Sequence, residues 1–240
     1  MSLYRDHGVV IRTWKLGEAD RIVSIFTREH GKVRAVAKGV RKTSSRFGSR
    51  LEPTAHLSLQ LYAGRGDLDT VTQVETIDRF ATLRNDLDQW ARACALLEAV
   101  DQASPDRQPN EALFAMLVRA LTTLETRPTP LVVAAFFLKV LALEGFEPVT
   151  DGCVVCGEDK APLTGFSMSD GGTTCEACRK GPGLSDGALT VMRQILGGRL
   201  GVALNEPMSA VTDEVDQLAT RLLEHHLDRR LRSIGVLGRH

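Results

Sequence analysis

Four cysteines constrain this chain more than any other residues: Cys153-x2-Cys156 and, eighteen positions on, Cys175-x2-Cys178. A CxxC turn aims two thiolates at one centre, and two such turns at this separation can complete a tetrahedron around a single ion. Gly152, Gly157, Gly171 and Gly172 flank the pairs and permit the positive φ that tight turns often need. One structural Zn2+ held by Cys153, Cys156, Cys175 and Cys178 is therefore expected. Four thiolates leave no position for a water, which disfavours a catalytic metal. A redox CxxC needs only one pair, on a βα unit. A zinc deaminase needs an H-x-E sequence that the chain lacks. The competing reading is four free buried thiols. A fifth cysteine, Cys94, falls on the apolar face of a helical segment and reads as core.

Metal is a better explanation than disulfides only in a reducing compartment. The N-terminus, Met-Ser-Leu-Tyr-Arg-Asp, has no apolar signal region. The most apolar run, residues 131–143, is too short to span a bilayer and contains Lys139. A soluble cytoplasmic protein with no membrane role is expected.

The first 80 residues read as strands: Val9–Trp14, Arg21–Thr27, Val33–Ala37, His56–Tyr62 and Asp69–Glu75, separated by turn signals at Gly17, His30-Gly31, Gly39 and Gly64-Arg-Gly-Asp67. Five short strands in that length suggest a small closed barrel or sandwich, and an OB-type barrel has this strand count. The middle reads as helices over 85–103, 111–125 and 131–144. Asn110 is a candidate cap, and Gly145 a candidate end for the third, which is apolar nearly all round. Residues 150–184 read as irregular. Ser185 or Asp186 caps a short helix to Leu196, Thr212 opens a last helix over 213–232, and Ile234–His240 frays. The fold class is α+β: an OB-type barrel over 1–80, an α-helical bundle from 81–150 and 185–240, and a four-cysteine zinc module over 151–184.

Net charge is zero overall, yet residues 1–50 hold twelve Lys/Arg against four Asp/Glu, a net +8, which leaves −8 for the rest. Within that head, Gly31–Arg50 carries Lys32, Arg34, Lys38, Arg41, Lys42, Arg46 and Arg50 and no acid. On the strand, Lys32, Arg34 and Lys38 alternate with Val33, Ala35 and Ala37, which exposes a basic face. The loop after it adds four charges among Gly, Ser and Thr. A cationic barrel loop of this kind suits phosphate backbones, and the hydroxyls of Thr43, Ser44 and Ser45 can join. Phe47 is the aromatic placed there for base stacking. No recognition helix is visible, so binding without sequence preference is expected. The bland alternative is a solvated loop.

Other candidates carry little. His225-His226 beside Glu224 and Asp228 reads as a solvated helical face, and Arg65-Gly66-Asp67 as a hairpin turn. The chain has no Walker motif, no GxSxG and no convincing Ser/His/Asp arrangement. A non-enzymatic protein is expected. The alternative from another class is a zinc-ribbon adaptor of transcription or translation that binds mainly protein. A zinc hydrolase would need an exchangeable water on the metal.

These residues together make the chain resemble the RecO family of bacterial recombination mediators, over almost its whole length. The resemblance is carried by Gly17-Glu-x-Asp20, Ile22-Val23-x-x-Phe26-Thr27, Gly31 and Val36-Ala-Lys-Gly-Val-Arg41. It extends to Cys153-x-x-Cys156-Gly157, Phe166-Ser167, Gly171-Gly172 and Cys175-x-x-Cys178. It implies an OB fold, a helical bundle and a zinc module. It further implies DNA repair and recombination: binding single- and double-stranded DNA, annealing complementary strands, and acting with RecR to load RecA onto DNA covered by single-strand-binding protein. Lys38, Arg41, Lys42 and Arg46 match the family's basic loop and are the first DNA-binding choices, followed by Arg34 and Lys32. The acidic, Phe-ending tail of single-strand-binding protein is expected to dock on helices, with Arg119 and Lys139 as the residues to hold it.

Overall fold

The computed structural model describes residues 2–43, 45 and 47–234. Ser44 and Arg46 of the basic loop, and 235–240 of the expected frayed tail, lie outside the described residues.

Five strands close into a barrel: β1 Leu3–Leu16, β2 Asp20–Thr27, β3 Gly31–Ala37, β4 His56–Tyr62 and β5 Leu68–Asp78, in the order β1-β2-β3-β5-β4. The pairs are antiparallel except β3 with β5. Period-two alternation decides which side chains fill it. Val33, Ala35 and Ala37 of β3, Leu57, Leu59 and Leu61 of β4, and Val71 and Val74 of β5 point inward, with Val10, Val23 and Ile25. Phe47 and Leu51 also join this core.

The first strand is longer than the expected Val9–Trp14 because it serves two neighbours. Leu3–Val9 pair with β4 and Gly8–Leu16 with β2, with an irregularity between Val10 and Arg12. Its polar start, Tyr4-Arg-Asp-His, hides this from a hydropathy reading, yet two of those residues anchor the barrel. Buried Asp6 accepts from the backbone N–H of His7 (2.7 Å), Glu29 (3.1 Å) and His30 (3.1 Å), which fixes the β2–β3 turn. Tyr4 donates to buried Asp69 at 2.5 Å, and Arg107 and the N–H of Gly64 donate to the same carboxylate at 2.8 and 3.2 Å.

Helix α1 spans Leu87–Ala103 and α2 spans Glu111–Thr126. Asp86 caps α1 through the N–H of Gln89 (2.9 Å), and Asn110 accepts from Leu113 (3.0 Å) as the sequence suggested. Phe114 of α2 lies against Phe26 and His56 on the outside of the barrel. The α1–α2 linker also joins the barrel. The Arg107 N–H donates to the Lys32 carbonyl at 2.9 Å, and Asp106 forms a parallel bridge with Lys32. Gly31 is required here: its φ is +68°, and a Cβ would run into the carbonyl of Gln108. These elements form one compact unit, which among the described residues runs up to Thr126 and takes in 232–234.

The second unit is Arg127–Leu231. It contains α3 Val132–Leu143, β6 Leu163–Ser167, β7 Gly172–Cys175, α4 Asp186–Leu196, α5 Leu200–Ala203 and α6 Ala210–Leu227. Helix α3 is buried at nearly every position and packs on α4 and α6. Gly145, at φ +84°, ends it as expected, and the N–H of Phe146 returns to the carbonyl of Leu141 (2.8 Å). Ser185 caps α4 through Ala188.

Two readings need correction. The last helix starts at Ala210, because Ser209 and Thr212 exchange side-chain and backbone bonds as a capping box. It stops at Leu227, where Asp228 turns left-handed at φ 50° and Glu224 accepts the N–H of Leu231 (2.8 Å). Residues 150–184 are not irregular throughout: β6 and β7 form an antiparallel hairpin. Its strands are too short, and too rich in Gly and Thr, to announce themselves.

Candidate nucleic-acid interface and metal-ligating cluster

The basic segment divides into two groups. Lys32 and Arg34 sit on the outward face of β3, as the alternation predicted, but acids from outside the segment meet them. Lys32 is largely buried and donates to the carbonyl of Asp101 at 2.6 Å, with the carboxylates of Asp101 and Asp106 at 3.4 and 3.6 Å. Arg34 lies 3.5 Å from Asp106 and 3.9 Å from Asp67.

The second group is exposed. Lys38, Arg41 and Lys42 project from the turn that follows β3, and no carboxylate reaches them within ion-pair distance among the described residues. That turn is pinned to the β1–β2 turn. Asp20 accepts the N–H of Gly39 (2.7 Å), Ala19 accepts that of Arg41 (3.0 Å), and the Arg41 guanidinium donates to the carbonyl of Gly17 (3.1 Å). The Gly17–Asp20 and Gly39–Arg41 segments noted in the sequence are thus two halves of one structure. Register places further cations at the same end: Lys15 pairs with Arg21, and Arg21 with Ala37 beside Lys38. Arg21 is held by Glu52 at 2.6 Å.

Arg50 is half-buried in a short 3-10 turn, Gly48–Leu51. Thr43 is exposed, whereas the Ser45 hydroxyl oxygen accepts the N–H groups of Phe47 and Gly48 and shapes the loop. Phe47 cannot stack on a base: it is 2% exposed and belongs to the barrel core. A lone aromatic in a polar loop reads as a surface residue, but here it seals the barrel end.

An exposed aromatic does occur on this barrel, at a position the sequence reading passed over. Trp14 is 38% exposed, and the guanidinium of Arg12 lies 5.1 Å from its ring centroid. The signal was present in the alternation Arg12-x-Trp14-x-Leu16, which puts three residues on one strand face. The acids that meet Lys32 and Arg34 gave no such signal, since Asp101 and Asp106 lie far along the chain, at the end of α1 and in the linker after it.

In the second unit the four cysteines converge. One sulfur from each of Cys153, Cys156, Cys175 and Cys178 lies within 4.8 Å of the others, and Cys156 and Cys175 are 3.8 Å apart. A tetrahedral ion at the usual metal–sulfur distance of about 2.3 Å requires sulfur–sulfur edges of about 3.8 Å. The donor set therefore fits a tetrahedral ion. Local backbone builds each half. Gly157 at φ +77° returns its N–H to the carbonyl of Cys153 (2.8 Å), and the N–H of Cys153 reaches Glu158 (2.8 Å). The hairpin carries Cys175 at the end of β7, and a 3-10 turn, Glu176–Cys178, brings Cys178 round.

Without a cation four clustered sulfurs cannot all ionise. The backbone N–H groups of Cys156 and Cys175 pull the Cys153 thiol down to about 6, while hydrogen bonding with Cys175 and Cys156, with burial, pushes Cys178 up to about 12. A thiophilic dication resolves this by taking four thiolates at once.

Among the described residues these cysteines are the only group of three or more metal-ligating side chains. His225 and His226 do not form one. His226 packs on Phe146 with ring centroids 4.1 Å apart. A cavity of about 320 Å³ in this unit is lined by Leu141, Phe146, Met168, Leu222, His225 and His226, among others. Of the remaining candidates, Arg119 is exposed on α2 in the first unit and Lys139 half-buried on α3 in the second. Cys94 is half-buried rather than core, and burial, with Glu98 nearby, raises its thiol. No helix among the described residues is long and apolar enough to cross a membrane.

A closed five-stranded barrel of OB type, followed by helices and a four-cysteine cluster able to hold a metal, defines an α+β class of barrel protein. Comparison with known proteins gives the family. The profile described as recombination protein O, N terminal, matches residues 1–80, and that for recombination protein O, C terminal, matches 84–234. The DNA repair protein RecO of Frankia casuarinae is 43% identical over 245 residues, with both chains covered in full. The chain belongs to the RecO family of DNA repair proteins, which are recombination mediators rather than enzymes.

Proposed function

We propose that this chain binds single- and double-stranded DNA through the barrel segment 32–50 and anneals complementary strands. Acting with RecR, it would help RecA replace single-strand-binding protein. The supporting observation is the exposed trio Lys38, Arg41 and Lys42, which no carboxylate pairs with among the described residues and whose turn is held by hydrogen bonds from Gly39 and Arg41 to Gly17, Ala19 and Asp20. Phosphates are what such a cluster suits, and annealing follows from neutralising two strands at once, without ATP. Arg46 and Arg50 extend the reading along the loop. Lys32 and Arg34, already met by Asp101, Asp106 and Asp67, contribute less.

The four cysteines are read as a structural zinc site, one ion per chain, supplying local folding free energy and no chemistry. In outline the protein has three parts: a barrel over 1–80, a helical part from 81–150 and 185–240, and the zinc module over 151–184. Arg119 and Lys139 are assigned to the acidic tail of single-strand-binding protein, since a cation beside apolar surface suits a terminal carboxylate and Phe. The working compartment is the cytoplasm, on the nucleoid.

The test is a salt titration. Lys38→Ala with Arg41→Ala should lower single-strand affinity and reduce the slope of log K against log salt by about 1.4, at roughly 0.7 per phosphate contact. Unchanged affinity and slope would remove the loop from the interface. Annealing of complementary oligonucleotides, with and without single-strand-binding protein carrying its tail, separates this reading from a protein-binding adaptor, which would not anneal.

A further inference from the structure

The barrel carries an outward row of side chains that the phosphate-binding reading leaves unused. Trp14 pairs with Ile22, Ile22 with Val36, Val36 with Thr70, and Thr70 with Tyr62. None of the five is buried, and Trp14 and Tyr62, at the two ends, are each 38% exposed. The row takes one residue from each strand of the closed barrel, so it curves round the wall, and its contiguous apolar part is Trp14, Ile22 and Val36. Cations border it. Arg12 and Arg34 belong to the adjacent row, through Ser24, and Lys38 with Arg41 and Lys42 lies past the other side, beyond Ala37. The acids near it are Asp101, 3.4 Å from Arg12, Asp106 and Asp67 beside Arg34, and Asp20 in the row on the Lys38 side, whose carboxylate accepts the N–H of Gly39 at 2.7 Å; none among the described residues forms an ion pair with Lys38.

Trp14, Ile22 and Val36, on three neighbouring strands, form a short apolar patch with an exposed indole at its end and cations along both margins, and such a patch complements a ligand with flat apolar faces and a polyanionic backbone. Only unpaired nucleic acid offers both, because in a duplex the base faces are already stacked. We infer that Trp14 is a stacking platform for an unpaired base, which makes this barrel face selective for single strands over duplex. The inference rests on the DNA-binding reading above and adds to it what the phosphate contacts cannot supply, a discrimination between strand states. Arg12 acts as a positioning residue: its guanidinium lies over the indole, orients it, and leaves a cation beside the path of the backbone.

Fluorescence reports on this directly, since the chain has two tryptophans, Trp14 and Trp90. In a Trp90→Phe protein, oligo(dT) should quench the emission of Trp14, and a blunt duplex should not. Trp14→Leu keeps an apolar side chain but cannot stack, and it should weaken oligo(dT) binding by about five-fold or more. Trp14→Phe should retain most of the affinity, and duplex affinity should be the same for all. Oligo(dT) binding with no quench, or a Leu variant that binds it as tightly as the unsubstituted protein, overturns the stacking role. An unchanged salt slope in Lys38→Ala with Arg41→Ala overturns the DNA surface itself, and the stacking with it. The two failures are therefore distinguishable.

Discussion

The barrel and the cysteine module solve the same problem by opposite means. The barrel buries a continuous apolar interior contributed by all five strands, plus Phe47 and Leu51. It is specified by many residues, each replaceable in part. The module around Cys153–Cys178 has one short hairpin, and its exposed residues outnumber its buried ones. Beside a few buried residues such as Leu163 and Phe166, what joins its two halves is four sulfurs placed to hold one ion. A distributed core tolerates substitution and declares itself through periodicity, whereas a metal-organised segment declares itself only through its ligands.

The largest effect that tests this contrast is loss of metal. Chelation, or Cys175→Ser, should abolish hydrogen-exchange protection in β6 and β7, because apparent binding free energies at structural zinc sites are about 10–16 kcal/mol. Barrel amides should stay protected. Elemental analysis should fall from near one zinc per chain, and protection that survives without metal would break the comparison. Next comes Leu57→Ala in the barrel core, fully buried. It should cost about 3 kcal/mol in the barrel's unfolding and leave zinc content unchanged.

Arg107→Ala sharpens the comparison inside the barrel. Asp69 is buried, which alone would raise its carboxyl, but Arg107, Tyr4 and the N–H of Gly64 hold it below the ordinary range. A group with a depressed folded pKa stabilises above its unfolded value, and that contribution fades as pH falls through the folded one. Removing Arg107 should cost about 2 kcal/mol at neutral pH. It should also shrink the difference in urea midpoint between neutral and acid solution; an equal difference in both proteins would place the acid sensitivity elsewhere. The smallest effect on stability belongs to Lys38→Ala with Arg41→Ala, within about 0.5 kcal/mol because both lie at the surface, even though DNA affinity is expected to drop.

The same contrast explains what was legible in the sequence. Strands β2 to β4 and helix α3 follow apolar period, and the sequence places them within a residue or two. The four cysteines converge as their spacing implied. Where a polar residue does structural work, the reading fails. Asp6 and Tyr4 belong to β1 because of bonds to residues remote in the chain. The hairpin of β6 and β7 runs through Gly and Thr, which carry little apolar signal. The acid-free run from Gly31 to Arg50 implied a uniformly basic surface, but charge balance is settled in space, where Asp101 and Asp106 take up Lys32 and Arg34. Phe47 shows the converse, an apolar residue in a polar loop that folds inward.

Parallel pairing between β3 and β5 covers only Arg34–Val36 and Leu68–Thr70, so the first half of β3 would present bare hydrogen-bonding groups. The α1–α2 linker fills that place, with Arg107 bonded to the Lys32 carbonyl and Gln108 pressed against Gly31. An open strand edge is a template for another chain. The barrel sequence is therefore not self-sufficient, although its strands end at Asp78. A fragment cut there would expose one adhesive margin and associate with its own kind, whereas the intact chain carries its own stopper.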